Sequence, residues 1–231
     1  MILKCVTLIE KTPEDMINAS KRSKEMGADL VELRLDFLEQ PTPDAVQTLK
    51  NGIQIPAIIT IRPETDGGSF KGSEQDRVQL LEAAIKAKFD YVDVEMKMEK
   101  DPLQRLIKMC NENNVVSIVS YHDFESTPSS NDMFENMKKC IDLGGKVAKI
   151  AVMTKVFEDV VEIFKACDLA KNDGFEFIAI GMGVLGYETR IHAPLMGSKI
   201  AYTSLERGKE AVKGQIDLET LKKKWELLDY K

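Results

Sequence analysis

Three observations predict one (β/α)8 TIM barrel, an α/β fold filling residues 1–231 as a single domain. Eight short apolar, β-branched runs recur along the chain, and their C-terminal ends fall near positions 10, 36, 62, 95, 122, 152, 182 and 203, about 28 residues apart, the length of one βα unit. Helix signals occupy the intervals between them. No Pro/Gly/Ser-rich linker or low-complexity tract divides the chain, and single barrels commonly run to about 250 residues.

The strands are read at Ile2 to Ile9, Leu30 to Asp36, Ala57 to Ile61, Tyr91 to Glu95, Val115 to Tyr121, Lys146 to Val152, Glu176 to Met182 and Ser198 to Thr203. Several lack polar alternation, as expected of parallel strands covered on both faces. The first helix opens at Thr12-Pro13-Glu14-Asp15 and the second at Thr42-Pro43-Asp44, where a capping hydroxyl precedes Pro at the first helical position. Ser73 with Asp76 has the form of a capping box. Later helices each present one apolar stripe: Leu103/Leu106/Ile107/Cys110, Phe157/Val160/Val161/Phe164 and Leu218/Leu221/Trp225/Leu228. The rival architecture, a doubly wound open sheet, usually carries a glycine-rich turn after an early strand, and Ile9-Glu10-Lys11-Thr12 contains no glycine.

Composition narrows the function. The 32 Lys and Arg against 38 Asp and Glu give a net charge of −6 with no basic stripe, which argues against nucleic acid. The N-terminal run is short and broken by Lys4, unlike a signal peptide, and no segment reaches the roughly 20 apolar residues of a membrane span, so a cytoplasmic protein without membrane attachment is expected. Cys5, Cys110, Cys140 and Cys167 form no CxxC pair and read as reduced core thiols. With only His122 and His192 as histidines, no metal site is expected.

In a barrel of this kind the chemistry lies at the C-terminal ends of the strands. Glu32, Arg34, Asp36, Arg62, Asp93, Glu95, His122 and Lys149 are the polar residues placed there. Lys149 interrupts a run that should be buried on both faces. Desolvation and nearby arginines would favour the neutral amine, which adds to a ketone or aldehyde to give a Schiff base. Spacing equally allows a structural ion pair between Lys149 and Asp93 or Glu95.

His122 follows the fifth strand, where an imidazole suits proton transfer, whereas His192 has no such neighbours and reads as structural. Arg34, Arg62 and Arg190 would give the mouth a positive field suited to a small hydroxylated carboxylate. Gly67 to Gly72 lacks the spacing of a phosphate-binding loop and reads as a flexible loop. Ala211 to Ile216 reads as a lid in which Gln215 supplies amide hydrogen bonds.

The ordered set Glu32-Leu-Arg34-Leu-Asp36, Thr60-Ile-Arg62, Asp66-Gly-Gly68, Ser120-Tyr-His122-Asp-Phe124, Lys149-Ile-Ala-Val-Met153, Gly183 to Arg190 and Gly214-Gln215-Ile216 resembles type I 3-dehydroquinate dehydratase over nearly the whole chain. The resemblance implies a shikimate-pathway enzyme, homodimeric and free of metal or cofactor, that converts 3-dehydroquinate to 3-dehydroshikimate with syn loss of water. It further implies that Lys149 forms the imine and His122 moves the protons. Arg190 would bind the carboxylate, Gln215 would contact the substrate from the lid, and Glu32, Arg34 and Arg62 would hold its hydroxyls and carboxylate side.

Three positions depart from the family pattern. Asp66 stands where a Glu usually orients the histidine, leaving Asp66 and Glu64 as candidates for that role. The lid has Ala211 and Lys213 in place of a Ser and a Pro, and Thr189 replaces a Ser before Arg190. Two alternatives share parts of the pattern: a class I aldolase, with the same amine, and a noncatalytic metabolite-binding barrel.

Overall fold

The computed structural model describes residues 2–229. Strands and helices alternate as β1 (Leu3–Leu8), α1 (Pro13–Glu25), β2 (Leu30–Arg34), α2 (Pro43–Gly52), β3 (Ala57–Thr60), α3 (Glu74–Lys86), β4 (Tyr91–Glu95), α4 (Lys100–Asn113), β5 (Val116–Asp123), α5 (Ser130–Asp142), β6 (Val147–Met153), α6 (Phe157–Asp173), β7 (Phe177–Met182), α7 (Tyr187–His192) and β8 (Ile200–Ser204). A two-residue strand, β9 (Ile216–Asp217), precedes α8 (Leu218–Leu227). All ladders are parallel, in the order β7-β6-β5-β4-β3-β2-β1-β8-β9. The (β/α)8 reading holds, and all eight strands lie where the sequence places them. Asp36, read as the end of the second strand, sits instead in a 3₁₀ turn at Leu35–Phe37.

The seam between β7 and β8 is built differently from the other seven joints. At its base the Lys199 amide donates to the Phe177 carbonyl at 2.7 Å and the Ala179 amide to Ser198 Oγ at 3.1 Å. At its top β9 pairs with β8, and the Gly183 amide donates to the Lys213 carbonyl at 3.2 Å. The segment leading to β9 is thereby wedged into the seam. Gly214 makes this approach feasible, since it has φ +87° and a Cβ there would fall 2.0 Å from the Gly183 carbonyl oxygen.

The helix starts form as their sequences require. Thr12 and Thr42 accept the Asp15 and Ala45 amides ahead of Pro13 and Pro43. Ser73 and Asp76 make a reciprocal capping box on α3. The α4 stripe is buried in full, as are Leu218, Leu221 and Trp225 on α8, while Leu228 lies past that helix and is half exposed. The α6 stripe requires correction. Val160 is buried, but Phe157 and Val161 are exposed, and the face against the sheet is Val160, Ile163, Ala166, Cys167 and Ala170. Small side chains let this helix approach the strands closely, leaving its bulkier residues at the rim.

All four cysteines are free and buried. No helix among the described residues is long and apolar enough to cross a membrane. Ser73→Ala removes one half of the capping box, so urea denaturation should show a loss of about 1 kcal/mol with an unchanged m-value.

Candidate active site

One cavity opens at the C-terminal ends of the strands. Glu32, Arg34, Arg62, Asp66, His122, Lys149, Arg190 and Gln215 all line it, whereas Asp36, Asp93 and Glu95, also placed at the strand ends by the sequence, lie outside its lining. Thr7, Gly67, Phe124, Ala151, Ile180, Met182, Tyr202, Ala211 and Val212 complete the wall.

Lys149 projects from the middle of β6. Its Nζ donates to Asp93 Oδ2 at 2.8 Å, lies 3.6 Å from Glu32 Oε1 and sits 4.5 Å from the centre of the Tyr202 ring. Of the two readings that spacing allowed, the ion pair is present, to Asp93, and it leaves the amine on the cavity wall. Its closest charged neighbours are carboxylates, in place of the expected arginines. Glu32 is held by Thr7 Oγ1 at 3.0 Å and Thr60 Oγ1 at 2.8 Å.

Asp93 begins a run of alternating charge. Arg62 reaches Asp93 at 3.0 Å and Glu95 at 2.7 Å, and Glu95 is also bonded by Arg77 of α3. Burial opposes ionisation of Asp93, but Arg62 and Lys149 outweigh it and hold the carboxyl well below the usual range. Glu95 is pushed up by burial, an effect only partly offset by Arg62 and Arg77.

Of the three arginines, Arg34 makes a bidentate pair with Asp36 at 2.8 and 2.7 Å, and Arg62 is engaged as above. Arg190, on α7, differs from both. Its Nη1 donates only to the Tyr202 carbonyl at 3.4 Å, its Nε has no partner, and no carboxylate among the described residues pairs with it. Burial, barely countered by Glu32, lowers its pKa to about 10. A guanidinium without a paired carboxylate at the wall of a cavity can pair with an anionic ligand.

His122 ends β5, stacked on Phe124 at a ring separation of 5.8 Å. Asp66 Oδ2 lies 2.9 Å from His122 Nδ1, a close contact that lacks good hydrogen-bond alignment. Burial and the nearby Arg62 outweigh Asp66 and lower the imidazole pKa to about 4. His122 is therefore neutral near pH 7 and able to accept a proton. Glu64, on the same 3₁₀ turn as Asp66, is exposed, so Asp66 is the carboxylate beside the ring.

The glycine loop that carries Asp66 is folded back on itself, contrary to the expected flexible segment. The Gly68 amide donates to the Pro63 carbonyl and the Phe70 amide to the Arg62 carbonyl. Gly67, at φ +75°, passes so close to Phe124 that a Cβ would lie 2.3 Å from the ring. That packing sets Asp66 against His122.

Gln215 closes the cavity from the lid. Its Oε1 accepts from the Ala211 amide at 2.9 Å, and its Nε2 donates to Thr7 Oγ1 at 3.2 Å. His192 lies on α7 outside the cavity, 3.5 Å from Glu188. The residues that sequence reasoning passed over are Thr7 and Tyr202. Both occupy inward positions near the ends of β1 and β8, so extending strand alternation to these two strands would have found them.

Two measurements check this geometry. His122 has a pKa of about 4 folded against about 6.5 unfolded, so its stabilising effect is complete above pH 6.5 and is lost as pH falls from 6.5 toward 4. In His122→Asn, the drop in unfolding free energy between pH 7 and pH 4.5 should shrink by about 2 kcal/mol in urea titrations. Arg190→Met removes a buried, unpaired cation and should leave the melting temperature unchanged or higher, while calorimetry shows affinity for a small hydroxy-carboxylate falling roughly 100-fold.

Residues 4–230 match the family model described as Type I 3-dehydroquinase. The 3-dehydroquinate dehydratase of Methanocaldococcus jannaschii is 35% identical over 229 residues, covering 98% of this chain and 99% of the relative. That of Methanococcus maripaludis strain C5 is 37% identical over 227 residues, covering 97% and 99%. Among solved structures, the 3-dehydroquinate dehydratase of Geobacillus kaustophilus superposes with a TM-score of 0.92 at 26% identity, covering 99% of this chain and 91% of that one. The Clostridium difficile type I enzyme, solved with covalently modified comenic acid, gives a TM-score of 0.90 at 25% identity, covering 98% and 92%. With a family model and full-length relatives in agreement with the fold, this chain belongs to the type I 3-dehydroquinase family.

Proposed function

We propose that this chain dehydrates 3-dehydroquinate to 3-dehydroshikimate, the third step of the shikimate pathway, through an imine on Lys149 and without metal or cofactor. The supporting observation is one cavity that holds a positioned amine, a neutral imidazole and an unpaired guanidinium. Each answers one need of the substrate: the ketone, the acidic C–H and the carboxylate.

Attack on the C3 ketone requires the free amine, so Lys149 first gives up a proton. In this reading the neutral His122, which lines the same cavity, takes it. Lys149 then adds to the carbonyl, and the carbinolamine hydroxyl takes the proton back from the His122 imidazolium and leaves as water, giving a protonated imine and returning His122 to its neutral form. That cation draws electron density from the neighbouring bond, so His122 can remove a proton from C2. The imidazolium delivers a proton to the C1 hydroxyl on the same face, water departs, and a second water hydrolyses the imine to release the enone and restore the amine.

Asp66 orients His122, and Arg190 binds the carboxylate. Arg34 and Arg62, already paired, act through their remaining donors on the substrate hydroxyls and carboxylate side. Glu32 accepts from a hydroxyl, and Gln215 caps the cavity. The same reading carries a cytoplasmic homodimer, which sedimentation of the purified protein checks.

Borohydride added during turnover should reduce the imine and leave a stable mass increase on the peptide containing Lys149. Label on another residue, or turnover with no label, rejects the mechanism. Lys149→Ala should abolish trapping and lower kcat by at least about 1,000-fold, whereas His122→Ala should accumulate adduct while turning over slowly. Product is followed by ultraviolet absorbance of the conjugated enone, a signal that an aldolase would not produce.

A further inference from the structure

We infer that Lys97 is a positioning residue that clamps both members of the His122–Asp66 pair from outside the barrel. The inference rests on the proposed acid–base role of that pair and adds a component the substrate never meets. Lys97 lies just beyond β4, is 57% exposed at its side chain and does not line the cavity.

Its Nζ donates to the His122 main-chain carbonyl at 3.0 Å and lies 3.7 Å from Asp66 Oδ1. The stem runs beside Tyr121, with Nζ 5.3 Å from the ring centre. Asp66 is thus divided between two sides. Oδ2 faces inward, 2.9 Å from His122 Nδ1 and 3.8 Å from Arg62, while Oδ1 faces outward to Lys97.

The division matters because the inward contact is close but poorly aligned. An aspartate whose carboxylate rotates freely would lose it. An ammonium on the outer oxygen opposes that rotation, and the same ammonium fixes the backbone from which the imidazole projects. One cation therefore sets the distance between ring and carboxylate.

The surrounding charges define how this would be read. Asp66, Arg62, Lys149 and Asp93 stand around the imidazole. Asp66 is itself held below the usual carboxyl range because His122, Arg62 and Lys97 outweigh its burial. The outer crevice that Lys97 and Asp66 share is also lined by Glu74, Arg77, Glu95 and Glu99. Removing Lys97 takes a positive charge from the vicinity of the ring while Arg62 still faces Asp66, so protonation of His122 becomes easier.

The test compares Lys97→Met with Lys97→Arg, reading the acid limb of kcat/KM and the NMR titration of His122 in a His192→Asn background that leaves a single imidazole. In Lys97→Met the titration and the acid limb should rise together by about half a pH unit. At pH 7, kcat should fall about 3- to 10-fold with KM within about twofold, and Lys97→Arg should restore both. An unmoved or lowered His122 titration, or a raised KM at unchanged kcat, overturns the inference. The NMR titration needs no turnover, so failure of the proposed reaction is recognised separately, as a wild-type protein that does not convert 3-dehydroquinate.

Discussion

An ammonium group in the middle of a buried parallel strand has lost its water, and here the loss is offset chiefly by Asp93, which accepts from Lys149 at 2.8 Å. Asp93 in turn needs Arg62, Arg62 needs Glu95, and Glu95 needs Arg77 on the far side of the sheet. Such pairs add little net stability, because desolvation consumes most of their attraction, yet breaking one costs about 3–5 kcal/mol. What they provide is position. The amine is held by contacts that reach through the wall of the barrel, so the cavity can present it at a fixed point.

Against this neutralised background the exceptions stand out. Arg190 has no carboxylate partner, and His122 is buried as a neutral ring beside a carboxylate that only partly compensates it. Both are groups whose requirements the protein itself leaves unmet. In the proposed reaction the substrate carboxylate would complete the first, and a proton taken from the substrate would complete the second. Gln215 joins the lid to the same network, since its amide reaches Thr7, Thr7 reaches Glu32, and Glu32 flanks Lys149.

Much of this was legible beforehand. Thr12, Thr42 and Ser73 announced their helices because caps are local interactions. The strands were readable as apolar runs, and polar residues at their ends are conspicuous for the same reason. The α6 stripe failed because apolar spacing identifies one face of a helix but does not say whether Phe157 or Ala166 and Cys167 meet the sheet. The Gly67 loop failed because glycine signals freedom locally, whereas here it permits contact with Phe124. Lys97 carried no sequence signal, being one more charged residue in a loop.

By itself the sequence determined the order of strands and helices and supplied an amine, an imidazole and arginines at successive strand ends, because caps and hydrophobic periodicity act over a few residues. Tertiary structure decided which charges neutralise one another. It paired Lys149 with Asp93, engaged Arg62 with Asp93 and Glu95, left Arg190 unmatched and chose Asp66 over Glu64. Those outcomes depend on distances across a closed barrel and on the loss of solvent inside it, and neither is a property of any stretch of chain taken alone.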